Sequence, residues 1–175
     1  MKPGLRILLY SAFAHSRQFR FKDMEDGCAR GLKGDTWVSI GMAAADMQSG
    51  ATEMMEAAST WVEGPEALDE VGRAITGKNP SECIIRTTAQ LADDMTMVVS
   101  SVGLGGCKVH SSVEGQDTQG RGIAVENAGN QVYQRAMLKK LYPDWSSVDL
   151  DEVMTSCGTG VAALTLLADF LIRRN

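Results

Sequence analysis

The sequence predicts an α+β fold, a helix-rich single domain packed on a small sheet that includes a hairpin over residues 95–113. Short runs of apolar and β-branched residues are typical of strands, and apolar residues that recur every three or four positions are typical of helices. The length of 175 residues matches one domain of roughly 100–200 residues. We therefore expect one globular domain over residues 1–175.

The N-terminal half contains two predicted strands followed by two predicted helices. The apolar run 5–10 and the β-type run 36–40 are the strands. Apolar residues recur at helical spacing over 51–62, which predicts an amphipathic helix ended by Gly64-Pro65. A second stripe within 68–75 predicts the next helix.

The segment after residue 78 predicts another helix and then the hairpin. Asn79 is a good N-cap, Pro80 suits the first helical position, and Glu82 would face the positive end of the helix dipole. The runs 95–100 and 108–113 flank a glycine-rich loop, which is typical of a hairpin.

The C-terminal third is predicted to be helical. A short helix ends before Pro143, and a capping-box-like start formed by Asp149 and Glu152 opens an apolar stripe that runs to residue 172. We expect this last helix to be central to the core. Gly158 and Gly160 interrupt it, and such a pair permits close packing or a kink.

Composition narrows the functional classes. The net charge is −5 and no long basic run is present, which argues against a nucleic-acid partner, although a local basic patch stays open. The apolar stretch 161–172 is too short to cross a membrane. The four cysteines lack a Cys-x-x-Cys spacing, which favours reduced thiols and a cytoplasmic location.

Most candidate motifs have a simple structural interpretation. Cys107 and His110 would point to opposite sides of a strand, which disfavours a Cys–His catalytic pair. The glycine loop 103–106 lacks the lysine and hydroxyl residue of a P-loop. Glu53 with Glu56 could hold Mg²⁺ on a helix face, but a solvated face carries the same residues.

Residues 33–102 resemble the C-terminal lobe of the SpoIIE-type, PP2C-like metal-dependent phosphatases. The matching pieces are Gly34-Asp35-Thr36 before a strand, a helical stretch with Trp61, Asn79-Pro80 opening a helix, and Asp93-Asp94-Met95-Thr96-Met97-Val98-Val99. The family's fold is a β-sandwich, and only about 33 residues precede the match.

The resemblance implies a divalent-metal site for Mg²⁺ or Mn²⁺. In the family the Asp-Asp-Met-Thr segment supplies a metal-binding carboxylate, which corresponds here to Asp93 or Asp94, with Asp35 or Asp46 as a partner. The family's Asp-Gly is replaced by Ile40-Gly41, so one ligand is missing.

Two functional hypotheses follow, and the sequence does not decide whether the chain is an enzyme. The first is a non-enzymatic binding or assembly module of a cytoplasmic complex, with a protein partner or a second copy of itself. The alternative is a PP2C-like divalent-metal-dependent phosphohydrolase with an incomplete metal site. Neither hypothesis gives the chain a membrane or nucleic-acid partner.

Overall fold

The computed structural model describes residues 6–10, 37–60, 66–87, 99, 102–104, 106–113 and 128–174. Its described strands form one five-stranded sheet in the order β3-β2-β1-β4-β5. The strands are β1 Arg6–Tyr10, β2 Trp37–Ala45, β3 Thr52–Thr60, β4 Glu82–Thr87 and β5 Lys108–Val113. The helices are α1 Glu66–Thr76, α2 Gln131–Leu141, α3 Ser147–Ser156 and α4 Gly158–Arg174. The predicted α+β class is confirmed, whereas the extent of the domain over 1–175 stays a prediction.

Strands β1, β4 and β5 run parallel, while β2 is antiparallel to both β1 and β3. We call the end of the sheet where β1, β4 and β5 begin the amino end, and the opposite end the carboxyl end. The topology reverses between β1 and β4, because the chain leaves β1 on one side to build β2 and β3 and returns on the other.

The predicted helix over 51–62 is wrong, because residues 52–60 form β3. The strand is paired with β2 along its full length, and the hairpin turn between them contains Asp46 and Gly50. Apolar residues occur on both faces of β3, since Met54 packs with one core cluster and Met55 with the other. Two apolar faces on one strand imitate the spacing of a helix, so periodicity alone could not separate the two.

The helix predicted to begin at Asn79-Pro80 is also wrong, because Glu82 opens the strand β4. Asn79 adopts a positive φ of 44°, which ends the turn after α1 rather than capping a new helix. Every residue of β4 is buried between β1 and β5. A short apolar run buried on both faces is typical of parallel sheets and carries no strand-like alternation.

Strand β5 corresponds to the second arm of the predicted 95–113 hairpin, but its partner differs. It pairs with β4 in parallel, with Lys108 opposite Glu82. Of the first arm, Val99 is described and is helical, and the rest lies outside the described residues. The residue types therefore predicted the strand correctly and its neighbour incorrectly.

The predicted C-terminal helix is two helices that meet at Cys157 with a bend of 109°. Helix α3 starts with a capping box formed by Ser146 and Asp149, three residues before the predicted start. Helix α4 is central to the core, as predicted, with Leu164 and Leu167 buried. Gly160 gives the close packing that the sequence permits, and the bend lies immediately before Gly158.

Two core clusters lie on opposite faces of the sheet. Helix α1 packs on one face through Leu68, Val71 and Ile75. Helix α4 covers the other face, together with α2 and α3. Within the described residues no single helix is long and apolar enough to cross a membrane; α3 and α4 pass that test only when joined across their bend, and most of α4 is buried.

Candidate functional site

The face of the sheet under α4 is polar at both ends and apolar in the middle. Residues in register form rows across the strands, and alternate rows lie on this face because successive residues of a strand point to opposite sides. The middle row is Met54, Ala43, Leu8, Ile84 and His110. The carboxyl-end row is Glu56, Gly41, Tyr10, Arg86 and Ser112. The amino-end row is Thr52, Ala45, Arg6, Glu82 and Lys108.

A carboxylate and an imidazole meet at the amino end of this face. The Oε1 atom of Glu82 lies 2.8 Å from Nε2 of His110 and 3.9 Å from Nζ of Lys108. The Glu82 side chain is only 11% exposed, whereas those of His110 and Lys108 are 30% and 67% exposed. The acid is thus in the interior of the sheet, and the two basic groups extend from it toward solvent.

Helix α4 reaches this pair near its C-terminal end. The ring of Phe170 lies 5.9 Å from the ring of His110, centroid to centroid, with the planes tilted by 53°. The neighbouring residue Asp169 is buried and accepts a hydrogen bond of 3.1 Å from the hydroxyl of Tyr133 on α2. Phe170 of α4 thus packs against the imidazole, and the Tyr133–Asp169 hydrogen bond joins α2 to α4 beside that contact.

At the carboxyl end, Glu56 caps the first turn of α4. Its Oε2 atom accepts the backbone N–H of Thr159 at 2.8 Å, and its Oε1 atom accepts the hydroxyl of Ser39 at 2.8 Å. The hydroxyls of Ser39 and Thr159 are also 2.8 Å apart. A carboxylate on the free amides of a helix start stabilises the helix and satisfies its unpaired donors. This cluster has a structural role, since each of its groups is engaged by another.

The thiols next to these groups are not activated. Burial raises the pKa of Cys107, and the charge of Glu82 raises it further. Burial also raises the pKa of Cys157, followed by the charge of Glu56. A reactive cysteine needs a lowered pKa, so the raised pKa of each thiol disfavours a nucleophilic role. Cys83, Cys107 and Cys157 are free, as predicted, and Cys28 lies outside the described residues.

Of the four predicted metal ligands, only Asp46 lies in the described part of the chain. Asp35, Asp93 and Asp94 lie outside it. The two Asp46 oxygens accept the backbone N–H of Gln48 at 2.8 Å and the hydroxyl of Ser49 at 2.7 Å. These bonds, the first above all, lower the pKa of Asp46. Asp46 thus stabilises the β2–β3 turn, and the described residues contain no group of three or more metal-binding side chains.

Sequence reasoning missed the Glu82–His110 pair. The two residues are 28 positions apart, and only the parallel pairing of β4 with β5 brings them together. Glu82 was assigned to a helix start, and His110 was considered only with Cys107. The one usable signal was the alternation of Lys108 and His110, which places both on one face of a strand.

No protein-family model matches the sequence, and no curated protein matches it. Two similar solved structures are the fowlpox virus Holliday junction resolvase and the fowlpox virus resolvase in complex with its substrate Holliday junction DNA. The first has a TM-score of 0.46 and 12% identity over 97% of this chain and 99% of that chain. The second has a TM-score of 0.46 and 9% identity over 96% and 98%. A likeness this distant assigns no activity to the chain.

The findings correct three predictions. The resemblance to PP2C-like phosphatases is wrong, because the similar structures are resolvases. Two of its matching pieces also differ in structure, since residues 52–60 before Trp61 form a strand and Asn79-Pro80 precedes a strand. The same comparison overturns the non-enzymatic module and its phosphatase alternative. It also overturns the exclusion of nucleic acid, because one similar structure contains DNA. The cytoplasmic location and self-association are not tested.

Proposed function

We propose that this chain binds nucleic acid, with its interface at the amino end of the sheet. The observation that carries the proposal is the arrangement of Lys108 and His110 around the single buried carboxylate of Glu82. Because Glu82 is buried, the groups that a ligand meets first at this pair are the ammonium of Lys108 and the imidazole of His110. Phosphate groups are the anions that such surfaces bind in nucleic-acid complexes.

Further basic positions surround this pair in the fold. Arg6 occupies the register position next to Glu82 on β1. Arg173 and Arg174 form the last turn of α4, three and four positions after Phe170, whose ring contacts His110. These are backbone positions of further basic residues, one in register with Glu82 and two at the end of the helix that contacts His110.

The overall acidity of the chain does not contradict this interface. The net charge of −5 is summed over 175 residues, whereas the interaction with a phosphate is governed by charges within about 8 Å at physiological salt. The basic residues named above come from three separate parts of the sequence and form no long run. A search for basic runs could not detect them.

The proposal is tested by fluorescence anisotropy with labelled single-stranded RNA, duplex DNA and a four-way DNA junction. The junction is included because it is the substrate present in one of the similar structures. We expect at least one probe to bind with an affinity that falls as salt rises. Lys108→Gln should weaken binding and reduce the slope of log K against log salt by about 1.

Arg73→Gln is the matched control for this experiment. Arg73 is an exposed residue of α1, which packs on the opposite face of the sheet. Its substitution removes the same charge as Lys108→Gln and should leave binding unchanged. Absence of binding to all three probes at low salt would refute the proposed function, and equal losses in both variants would refute its location.

We also retain the predicted Mg²⁺ or Mn²⁺ site as a proposal. Asp46 follows Ala45, which pairs with Arg6 in the amino-end row, so it lies at the same end of the sheet as Glu82. Calorimetry with Mg²⁺ and with Mn²⁺ tests it, because Asp46→Asn should weaken binding of the ion. If the wild-type chain gives no binding heat with either ion, the site is refuted.

A further inference from the structure

We propose that His110, held by Glu82, is the general base of an RNA-cleaving activity at the amino end of the sheet. The inference rests on the proposed binding of nucleic acid there and adds a reaction to it. It starts from the one place in the described structure where an acid and an imidazole are paired next to solvent.

The geometry of the pair is that of an oriented base. Glu82 holds Nε2 of His110 at 2.8 Å, and Nδ1 has no hydrogen-bond partner among the described residues. A carboxylate on one ring nitrogen selects the tautomer and orients the ring, which leaves the other nitrogen to exchange a proton with a substrate. The 30% exposure of His110 gives a ligand access to the imidazole.

The burial of Glu82 favours a role beyond packing. Ile84, the next residue of β4 on the same face, is buried and apolar, whereas the register neighbours of Glu82 in its own row are Arg6 and Lys108. Burying a carboxylate costs free energy unless it is paired and hydrogen-bonded. The hydrogen bond from Glu82 to His110 offsets part of that cost and at the same time orients the imidazole ring.

The reaction that a base and an adjacent cation can carry out on a nucleic acid is transesterification of RNA. His110 removes the proton from a 2′-hydroxyl, and the 2′-oxygen attacks the adjacent phosphorus. The bond from phosphorus to the 5′-oxygen breaks, and that oxygen leaves with a proton from solvent. The products are a 2′,3′-cyclic phosphate and a 5′-hydroxyl. Lys108, 3.9 Å from Glu82, balances the charge that accumulates on the phosphate.

The test uses a 5′-labelled single-stranded RNA and its DNA counterpart with the full chain. We expect the RNA to be cleaved, with cyclic-phosphate ends detected by mass spectrometry, and the DNA to stay intact because it lacks the 2′-hydroxyl. Since general-base catalysis contributes about 10²–10⁴-fold, His110→Gln should slow cleavage at least 100-fold. The wild type and His110→Gln are purified in parallel by the same procedure. Equal cleavage by the two proteins would indicate a contaminating nuclease and overturn the inference.

A second variant distinguishes a base from a structural imidazole. In His110→Ala, added imidazole should restore part of the cleavage rate, which loss of packing alone would not allow. Glu82→Gln tests the positioning residue, and we expect cleavage to fall about tenfold while RNA affinity holds. RNA that binds and stays intact would overturn this inference and leave the proposed function standing. Failure to bind any nucleic acid would overturn both.

Discussion

Gly41→Ala is the substitution whose effect the structure predicts most directly. A Cβ atom at this position would lie 2.0 Å from the carbonyl oxygen of Thr159 and 2.3 Å from its carbonyl carbon. Both are backbone atoms in the first turn of α4, so no side-chain rotation relieves the contact. Helix and sheet would have to separate by more than about 1 Å, in a protein interior that is packed as densely as an organic crystal.

The expected cost is at the upper end of the range for overpacked cores. Such substitutions cost about 1–3 kcal/mol, and this one also strains the hydrogen bond from Thr159 to Glu56. We expect Gly41→Ala to lower the free energy of unfolding by about 3 kcal/mol. Urea denaturation followed by circular dichroism measures it, with the slope of the transition compared between variants.

Two other glycines are controls for the same substitution. Gly77 has no atom within 4 Å of an added Cβ and no positive φ, so Gly77→Ala should be neutral or stabilising by about 0.4–1 kcal/mol. Gly50 also has open space but a φ of +73°, so Gly50→Ala should cost about 1 kcal/mol through backbone strain. If Gly41→Ala cost no more than Gly50→Ala, the close contact between β2 at Gly41 and α4 at Thr159 would be refuted.

Three further predictions concern stability. Leu167→Ala should cost about 2–5 kcal/mol, because Leu167 is 2% exposed, whereas Val132→Ala, at 79% exposure, should change the urea midpoint little. The buried Thr87 hydroxyl finds no hydrogen-bond partner in the described part of the chain, so Thr87→Val should stabilise by about 1 kcal/mol in the same assay. The side chain of Ser146 lowers the pKa of Asp149 from 3.8. Asp149 therefore stabilises the fold above that value and loses the contribution as pH falls through its folded pKa. Asp149→Asn should make thermal unfolding less dependent on pH below about 5.

The predictions from sequence succeeded where local pattern and local structure coincide. Helix α1 was predicted because its apolar stripe faces the core and its opposite side faces solvent. The predicted break at Gly158 and Gly160 is present, because a Cβ at Gly160 would collide with Cys157 and the backbone of Met55. Both features depend on residues that are close in sequence or on a backbone property of glycine.

The predictions failed where a strand is covered on both faces. Residues 52–60 and 82–87 were both assigned to helices, and both form strands. In β4, burial on both sides removes the alternation that identifies a strand, and in β3, apolar residues on both faces imitate the spacing of a helix. The parallel pairing of β4 and β5 has no local signature either, since each residue of β4 pairs with a residue 26 positions further along the chain. The sequence could not predict the Glu82–His110 pair either, because the two residues come together only through the pairing of β4 with β5.

Helix α4 connects the two polar ends of its face. Its first turn is fixed at the carboxyl end by Gly41 and by the Glu56 cap, and its last turns carry Phe170 against His110 at the amino end. From Thr159 to Phe170 the helix spans about 16 Å at 1.5 Å per residue. Because a packed interior resists deformation, displacing the first turn of α4 at Gly41 also displaces the ring of Phe170 that contacts His110. Helix α4 therefore contacts a polar group of this face at each end, the carboxylate of Glu56 at its start and the imidazole of His110 near its C-terminal end.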